Sequence, residues 1–264
     1  MAKTIGVCSG KGGVGKTYCA VNLSRYLSLK GKKVLLIDCD FNLGNCGFLL
    51  GISNYKTLVD FSKSENYEDC ITKSGEFDFV GAESGDLKVL ENSVNITESL
   101  LKLIWSAQKN YDYIILDFGA GLDEKLLSIL AFCDQRLVIM NSDKLSLKDS
   151  YALIKVLKIK YGVVDFHVLP NKVKDNLAWD KIRNAMCGMN DKFLQINLTY
   201  LAYVSHIRRN SDPFCRRNLG ESVAVGYEFN KAFNFLVEMN DEKEVPFWIR
   251  PKKQDAFFER LRSN

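Results

Sequence analysis

The sequence is short of residues that interrupt a fold and of residues that bind transition metals, with four prolines and two histidines among 264 residues. Because it also lacks a Ser/Gly-rich linker and an internal repeat, we expect one domain over residues 1–240, followed by a tail over 241–264. Its eight cysteines contain no Cys-x-x-Cys pair, which argues against zinc and iron–sulfur sites. Without a secretory signal, free and mostly buried thiols are expected instead of disulfides.

Long apolar runs and strong charge are also missing. No uninterrupted apolar stretch approaches the roughly 20 residues of a membrane span, and the N-terminus does not resemble a signal peptide. We therefore expect a cytoplasmic protein. The net charge of +4 comes from dispersed basic residues, and because nucleic-acid binding needs clustered ones, DNA is not an expected partner.

What the sequence does contain is an alternation of short apolar runs with amphipathic stretches, which is typical of βα units. The predicted strands lie near residues 3–8, 33–38, 77–80, 112–117, 136–140, 165–169 and 199–204. The predicted helices lie near residues 16–30, 97–109, 123–132, 146–160, 175–188 and 223–239. Several strands are apolar without alternation, as strands buried on both faces are. The pattern predicts an α/β fold with three layers, in which helices cover both faces of a doubly wound, largely parallel sheet.

The strongest motif follows the first predicted strand. It reads Gly10-Lys11-Gly12-Gly13-Val14-Gly15-Lys16-Thr17, which fits the phosphate-loop pattern G-x-x-x-x-G-K-[ST] and precedes a predicted helix. Glycines allow the backbone to turn successive N–H groups towards phosphate oxygens, and the helix start adds the positive end of its dipole. Lys16 is expected to reach the β- and γ-phosphates, and the Thr17 hydroxyl to bind Mg²⁺. The alternative is a glycine-rich turn that only packs a helix against a sheet.

Acidic residues stand at the ends of two further predicted strands. Asp38 and Asp40 follow the second strand, and Asp117 ends the strand near 112–117. Open α/β sheets bind ligands at the carboxyl ends of their strands. The three carboxylates therefore predict a site for magnesium and an attacking water, although any one of them could instead cap a turn.

The position of Lys11 before the paired glycines resembles the deviant Walker A loop of the MinD/ParA class of ATPases, over about residues 2–225. Within that class the chain is similar to the flagellar number regulators of the FlhG (FleN) group, in the segments 38–51, 117–121, 151–157 and 198–203. The resemblance implies an ATPase switch that uses ATP and Mg²⁺, forms a homodimer in the ATP state, and controls the placement or number of a cellular structure such as flagella. It also implies a protein partner that regulates flagella or division, whose identity the sequence does not give.

The resemblance implies roles for the catalytic and metal-binding residues. Lys11 would cross to the nucleotide of the partner subunit and act in catalysis with Lys16, while Asp40 would orient the attacking water. Asp117 would hold magnesium through a water. Asp38 would belong to the metal site and support the loop that couples it to the dimer interface.

Further residues would contact the nucleotide by the same resemblance. The backbone of Tyr18 would lie beside the α-phosphate, and Asn45 and Asp143 would face the nucleotide of the partner. Asn171 would read adenine. The segment from Asn171 begins like the guanine-specifying motif N-K-x-D but has Lys174 at the position of its acid, which favours ATP over GTP.

Other functions stay open at this point. Within the class, a MinD-like division-site regulator and a ParA-like DNA segregation ATPase are alternatives. The unusual switch-loop residues Asn42, Cys46 and Gly47 instead suggest a scaffold that holds ATP with little hydrolysis. Because the first strand begins at residue 3, we expect no N-terminal extension of the kind that stimulates a partner GTPase in many FlhG-like proteins.

The tail adds a possible membrane contact. Residues 250–264 contain five basic and two acidic residues, and on a helix Phe257, Phe258 and Leu261 would share one face. This pattern resembles the membrane-targeting helix of MinD-like proteins, which would place the protein peripherally on the inner face of the cell membrane, against anionic lipid. The alternative is a frayed tail or a helix packed on the domain.

Overall fold

The computed structural model describes residues 1–41, 44–64, 66–82, 96–121, 124–206 and 223–241. The strands in this part of the chain are β1 (Lys3–Cys8), β2 (Val34–Cys39), β3 (Thr72–Lys73), β4 (Asp78–Val80), β5 (Tyr113–Phe118), β6 (Gln135–Met140), β7 (Asp165–Pro170) and β8 (Asn197–Tyr200). The α-helices are α1 (Lys16–Leu29), α2 (Cys46–Leu50), α3 (Leu58–Ser64), α4 (Ile96–Ala107), α5 (Glu124–Phe132), α6 (Lys144–Tyr161), α7 (Asn176–Met189) and α8 (Val223–Asp241).

The strands form one eight-stranded sheet in the order β3-β4-β2-β5-β1-β6-β7-β8. Every neighbouring pair is parallel except β3 with β4 at one edge. β1 lies in the middle of the sheet, between β5 and β6. The strands β2 to β5 extend the sheet on one side of β1 and β6 to β8 extend it on the other, which is a doubly wound topology. The predicted doubly wound, largely parallel sheet is confirmed.

Two apolar cores lie on the two faces of this sheet. Successive residues of β5 alternate between them: Ile114 and Leu116 pack in one core, and Tyr113 and Ile115 in the other. Helices α3 to α7 contribute to the first core, and α1 and α8 contribute to the second. Since strands buried on both faces carry nearly continuous runs of apolar residues, this packing explains the apolar runs that predicted the three layers.

The structure adds elements that the sequence pattern did not predict. They are the short helices α2 and α3, the two-residue strand β3, a 3₁₀ turn at Tyr67–Cys70 and a π turn at Asn190–Leu194. Residues 42–43 of the switch loop and residues 242–264, which include the basic tail, lie outside the described residues, so the tail stays a prediction. None of the helices in the described ranges has the length and hydropathy that a membrane-crossing helix needs.

Candidate phosphate-binding site

The candidate residues converge because their strands are neighbours. The five strands β2, β5, β1, β6 and β7 are adjacent in the sheet and parallel, so their carboxyl ends meet at one edge. Asp38 and Asp117 occupy paired positions on β2 and β5. The loop of residues 10–17 follows β1, Asp143 lies shortly after β6, and Asn171 follows β7.

The loop of residues 10–17, called the phosphate loop below, requires glycine at several positions. Gly13 and Gly15 have φ angles of 74° and 99°, in the left-handed region that favours glycine. A Cβ atom at Gly10 would lie 2.1 Å from the backbone carbonyl carbon of Asp149, so only glycine allows the loop to pack this closely against α6. Gly15 also caps α1 without any side-chain hydrogen bond, which leaves the first N–H groups of that helix available to an anion.

Two side chains that follow β7 hold the phosphate loop from behind. The Asn171 amide Nδ2 donates to the Val14 carbonyl at 2.8 Å, and the Lys172 ammonium donates to the Gly13 carbonyl at 2.6 Å. Asn171 is buried, and its Nδ2 lies 2.3 Å from where a Cβ at Gly15 would stand. The structure thus shows Asn171 in contact with the loop backbone, and it adds Lys172, which no sequence motif marks as part of the site.

The two strand-end carboxylates differ in their hydrogen bonds. Asp38 accepts backbone N–H groups on both oxygens, from Asp40 at 3.0 Å and from Cys46 at 3.0 Å. Its carboxylate therefore links the end of β2 to the first residue of α2. Asp117 accepts the Cys46 thiol on Oδ2 at 3.5 Å, while its Oδ1 is buried without a hydrogen-bond partner among the described residues.

Burial makes both carboxylates harder to ionise. Loss of water and the charge of neighbouring Asp38 raise the pKa of Asp117 to about 7, although a hydrogen bond from Thr17 and the charge of Lys16 oppose the shift. Burial also raises the pKa of Asp38, against the two backbone N–H groups that it accepts. A nearby positive charge favours the ionised form of two such buried carboxyl groups. Lys16, which is only 8% exposed, supplies part of that positive charge.

The remaining site candidates are more accessible. Asp40 is partly buried, and its carboxyl carbon lies 3.3 Å from where a Cβ at Gly119 would stand. Asn45 is exposed at the start of α2. Tyr18 packs on α8, with its ring 5.8 Å from the ring of Phe229, so the side chain turns to the core while the backbone stays beside the phosphate loop.

Lys11 is paired within its own chain. Its ammonium lies 3.1 Å from each carboxylate oxygen of Asp143, and the two side chains are 35% and 41% exposed. Asp143 also caps α6 by accepting the Ser146 N–H at 2.9 Å. That N–H and Lys11 lower the pKa of Asp143, so the carboxylate is ionised at neutral pH and binds Lys11 as an ion pair.

Comparisons with known proteins show which families and structures the chain is similar to. The model of the AAA domain family matches residues 2–162. The chain is 28% identical to the antiactivator FleN of Pseudomonas aeruginosa, over 98% of this chain and 93% of that protein. It is 30% identical to the septum site-determining protein MinD of Helicobacter pylori, over 99% and 98% of the two chains. The crystal structure of the cell division ATPase MinD of Pyrococcus furiosus is similar with a TM-score of 0.67 and 25% identity, over 92% of this chain and 99% of that one.

Proposed function

The chain belongs to the AAA domain family and, within it, to the MinD/ParA class of P-loop ATPases, and from this premise we propose that it is an ATP-dependent dimerising switch. One observation supports the proposal most strongly. Lys16, Asp38 and Asp117 meet at the edge of the sheet where the phosphate loop leads into α1. Phosphate binding needs free backbone N–H groups and a lysine, and a glycine-rich loop that leads to Lys16 at the start of α1 is suited to provide both.

The residues present fit the cofactor Mg²⁺. Asp117 Oδ1 is a buried acceptor without a hydrogen-bond partner in the described part of the chain, and Thr17 lies close enough to lower the pKa of that carboxyl group. Hydroxyl and carboxylate oxygens, directly or through water, are the ligands that Mg²⁺ prefers beside phosphates. Thr17 and Asp117 would hold the ion with support from Asp38, and bound Mg²⁺ would neutralise charge on the phosphates of ATP.

Hydrolysis by these residues depends on positioning and on charge. Lys16 would neutralise the β- and γ-phosphates, and Asp40, which lies beside Gly119 at the carboxyl end of β5, would orient the attacking water. Lys11 would supply a further positive charge to the nucleotide of the partner subunit, as an arginine finger does in other P-loop enzymes. Lys11 would first have to leave Asp143 of its own chain, so this role requires the dimer.

Two contributions would stabilise the homodimer in the ATP state. The γ-phosphate gives two facing phosphate loops a shared ligand, and hydrolysis removes it. Apolar side chains next to the site add surface that a partner can cover: Phe48 follows Asn45 and is 57% exposed, and Leu145 follows Asp143 and is 59% exposed. Asn45 and Asp143 would then face the partner, and Asn171 would sit beside the adenine.

We propose control of flagellar number as the cellular role, because the similarity to FleN extends over 98% of this chain. Regulation of the division site is the second candidate, because the H. pylori protein MinD is 30% identical over nearly the same length. Counting flagella and measuring cell lengths in cells that lack this chain separates the two. Binding of the tail to an anionic membrane remains a prediction from residues 250–264, and a DNA partner is not part of the proposal.

The first prediction tests the phosphate loop. Lys16→Ala should lower the affinity for ATP roughly 10- to 150-fold, which is the worth of one hydrogen bond to a charged group, while the fold survives. Isothermal titration calorimetry with Mg²⁺ and ATP measures this loss. Lys32→Ala, which removes an exposed lysine from the opposite end of β2, is the matched control and should leave the affinity unchanged. If Lys16→Ala and the unmodified protein bound ATP with equal affinity, the phosphate loop would not be the ATP-binding site.

A further inference from the structure

A compact group of three buried side chains includes Asp38 and Asp117 of the proposed magnesium site and adds Cys46. The ligand atoms of Asp38, Cys46 and Asp117 all lie within 4.8 Å of one another. Two strands and a helix hold them: Asp38 and Asp117 are paired on β2 and β5, and Cys46 is the first residue of α2. The Cys46 N–H donates to Asp38 at 3.0 Å, and its thiol donates to Asp117 at 3.5 Å.

The two acids of this group are buried next to each other, and Lys16 contributes positive charge beside them. The two carboxyl groups are each 1% exposed, so water does not screen one from the other. The thiol serves one oxygen of Asp117, and Oδ1 of the same carboxyl group has no hydrogen-bond partner among the described residues. Buried polar atoms without a partner in a native structure call for an explanation, and an ion that the structure does not include is one of them.

The donor set selects the kind of cation. One thiolate and two carboxylates are ligands that Zn²⁺ accepts, with a fourth position left for water as in open zinc sites. Mg²⁺ takes oxygen ligands and, in nucleotide sites, depends on the phosphates as well. Sulfur at position 46 therefore favours a softer ion of the zinc class over Mg²⁺ when no nucleotide is bound.

We propose that, without nucleotide, Asp38, Cys46 and Asp117 bind one divalent cation of the zinc class, with the Cys46 sulfur as a direct ligand. The sulfur–hydrogen bond of the thiol is replaced by a sulfur–metal bond, the proton passes to the solvent, and no oxidation or reduction occurs. The lack of a Cys-x-x-Cys pair argues against a zinc site built from one sequence motif. The ligands proposed here come from three separate elements, so no sequence motif marks them.

The site would oppose nucleotide binding. An ion held by Asp117 occupies the carboxylate that supports Mg²⁺ in the proposed function, and a bond to Cys46 ties α2 to the edge of the sheet. This competition rests on the proposed function, whereas metal binding without nucleotide does not.

The test uses the full chain, reduced and metal-free, titrated with Co²⁺ as a spectroscopic substitute for Zn²⁺ and without nucleotide. One equivalent should produce the near-ultraviolet charge-transfer absorption of a cobalt–thiolate bond, and Zn²⁺ should displace it. Cys46→Ser should abolish this absorption and weaken Zn²⁺ binding at least tenfold, about the loss that follows even from mutation of an outer-shell partner. Cys187→Ser, which alters the one described cysteine that is not fully buried, should leave it intact.

Two results would overturn the proposal. One is an unmodified protein that shows no cobalt–thiolate absorption at one equivalent, an outcome that does not depend on the folding of any variant. The other is a folded Cys46→Ser protein whose absorption matches that of the unmodified chain. Lys16→Ala separates this proposal from the proposed function, because it should weaken ATP binding roughly 10- to 150-fold and keep the cobalt absorption.

Discussion

Single side chains determine the direction in which the phosphate loop presents its N–H groups. Lys172 holds the Gly13 carbonyl, and Asn171 holds the Val14 carbonyl. Because a trans peptide is planar, its N–H points opposite to its carbonyl. Fixing these two carbonyls therefore points the N–H groups of Val14 and Gly15 to the other side of the loop, where a phosphate would lie.

Lys172→Ala tests this brace. Loss of the contact with Gly13 should let the peptide that follows it rotate, and we expect the affinity for ATP to fall roughly 2- to 10-fold, as for the loss of one ordinary hydrogen bond. Calorimetry with Mg²⁺ and ATP measures the change. Lys174→Ala is the matched control, since Lys174 is an exposed lysine two residues away. If both variants lose affinity equally, general positive charge near the site explains the effect and the brace does not.

At the scale of elements, α2 is fixed by one aromatic ring. The ring of Tyr55 lies against Gly47 and Gly81, where added Cβ atoms would come within 2.3 Å and 2.1 Å of ring carbons. The ring packs edge-on against Phe79, with centroids 5.6 Å apart, and the hydroxyl donates to the Ala82 carbonyl at 3.3 Å. Because α2 begins with Cys46, this packing also positions the thiol beside Asp117.

Replacing a glycine of α2 should therefore cost stability. Gly47→Ala should lower the free energy of unfolding by about 1–3 kcal/mol, the usual cost of overpacking a core, even though alanine is the better helix former. Gly188→Ala in α7 is the control, because a Cβ there would meet nothing within 4 Å. That variant should be more stable by about 0.4–1 kcal/mol. Denaturant unfolding measures both, and a Gly47→Ala protein that gains stability like the control would contradict the packing argument.

The sequence predicted long, buried elements more accurately than short ones. β1 and β2 were predicted to within one residue because both contain short apolar runs, and α6 was predicted to within two residues because its pattern repeats over several turns. Helix α2 has five residues and β3 has two, too few for a period to show. Tertiary packing, such as that of Tyr55 on Gly47, determines where α2 lies.

In the candidate site, too, the sequence predicted some features and not others. Residues that belong to a motif or end a strand, such as Lys16 and Asp117, were placed by the sequence at the edge where the structure has them. Contacts between distant segments were not, because no local pattern encodes them: Lys172 is 159 residues from Gly13, and Cys46 is 71 residues from Asp117. Cys46 could have been noticed as a thiol beside an acidic strand end, but its geometry could not.

At the scale of the whole molecule, the ion pair of Lys11 with Asp143 holds the proposed finger residue within one chain. Both side chains are partly exposed. Because exposed ion pairs add little to stability, breaking this pair to form another contact costs little free energy. A γ-phosphate of a second subunit offers Lys11 more charge than a single carboxylate does. The switch proposed here therefore needs a ligand that binds the dimer better than the monomer, since only a differential affinity shifts such an equilibrium.

The last prediction follows from that exchange. Asp40→Ala should still bind ATP but leave the attacking water poorly oriented, so the ATP-bound dimer should accumulate. Lys11→Ala should bind ATP as a monomer and lose turnover by a factor that approaches ~10³, the lower end for finger residues. Light scattering with Mg²⁺ and ATP, together with phosphate release, follows both variants, and Lys174→Ala should behave as the unmodified chain. An Asp40→Ala protein that stays monomeric at saturating ATP, or a Lys11→Ala protein with normal turnover, would exclude the dimer mechanism, and a passive ATP-holding scaffold would then explain the site better.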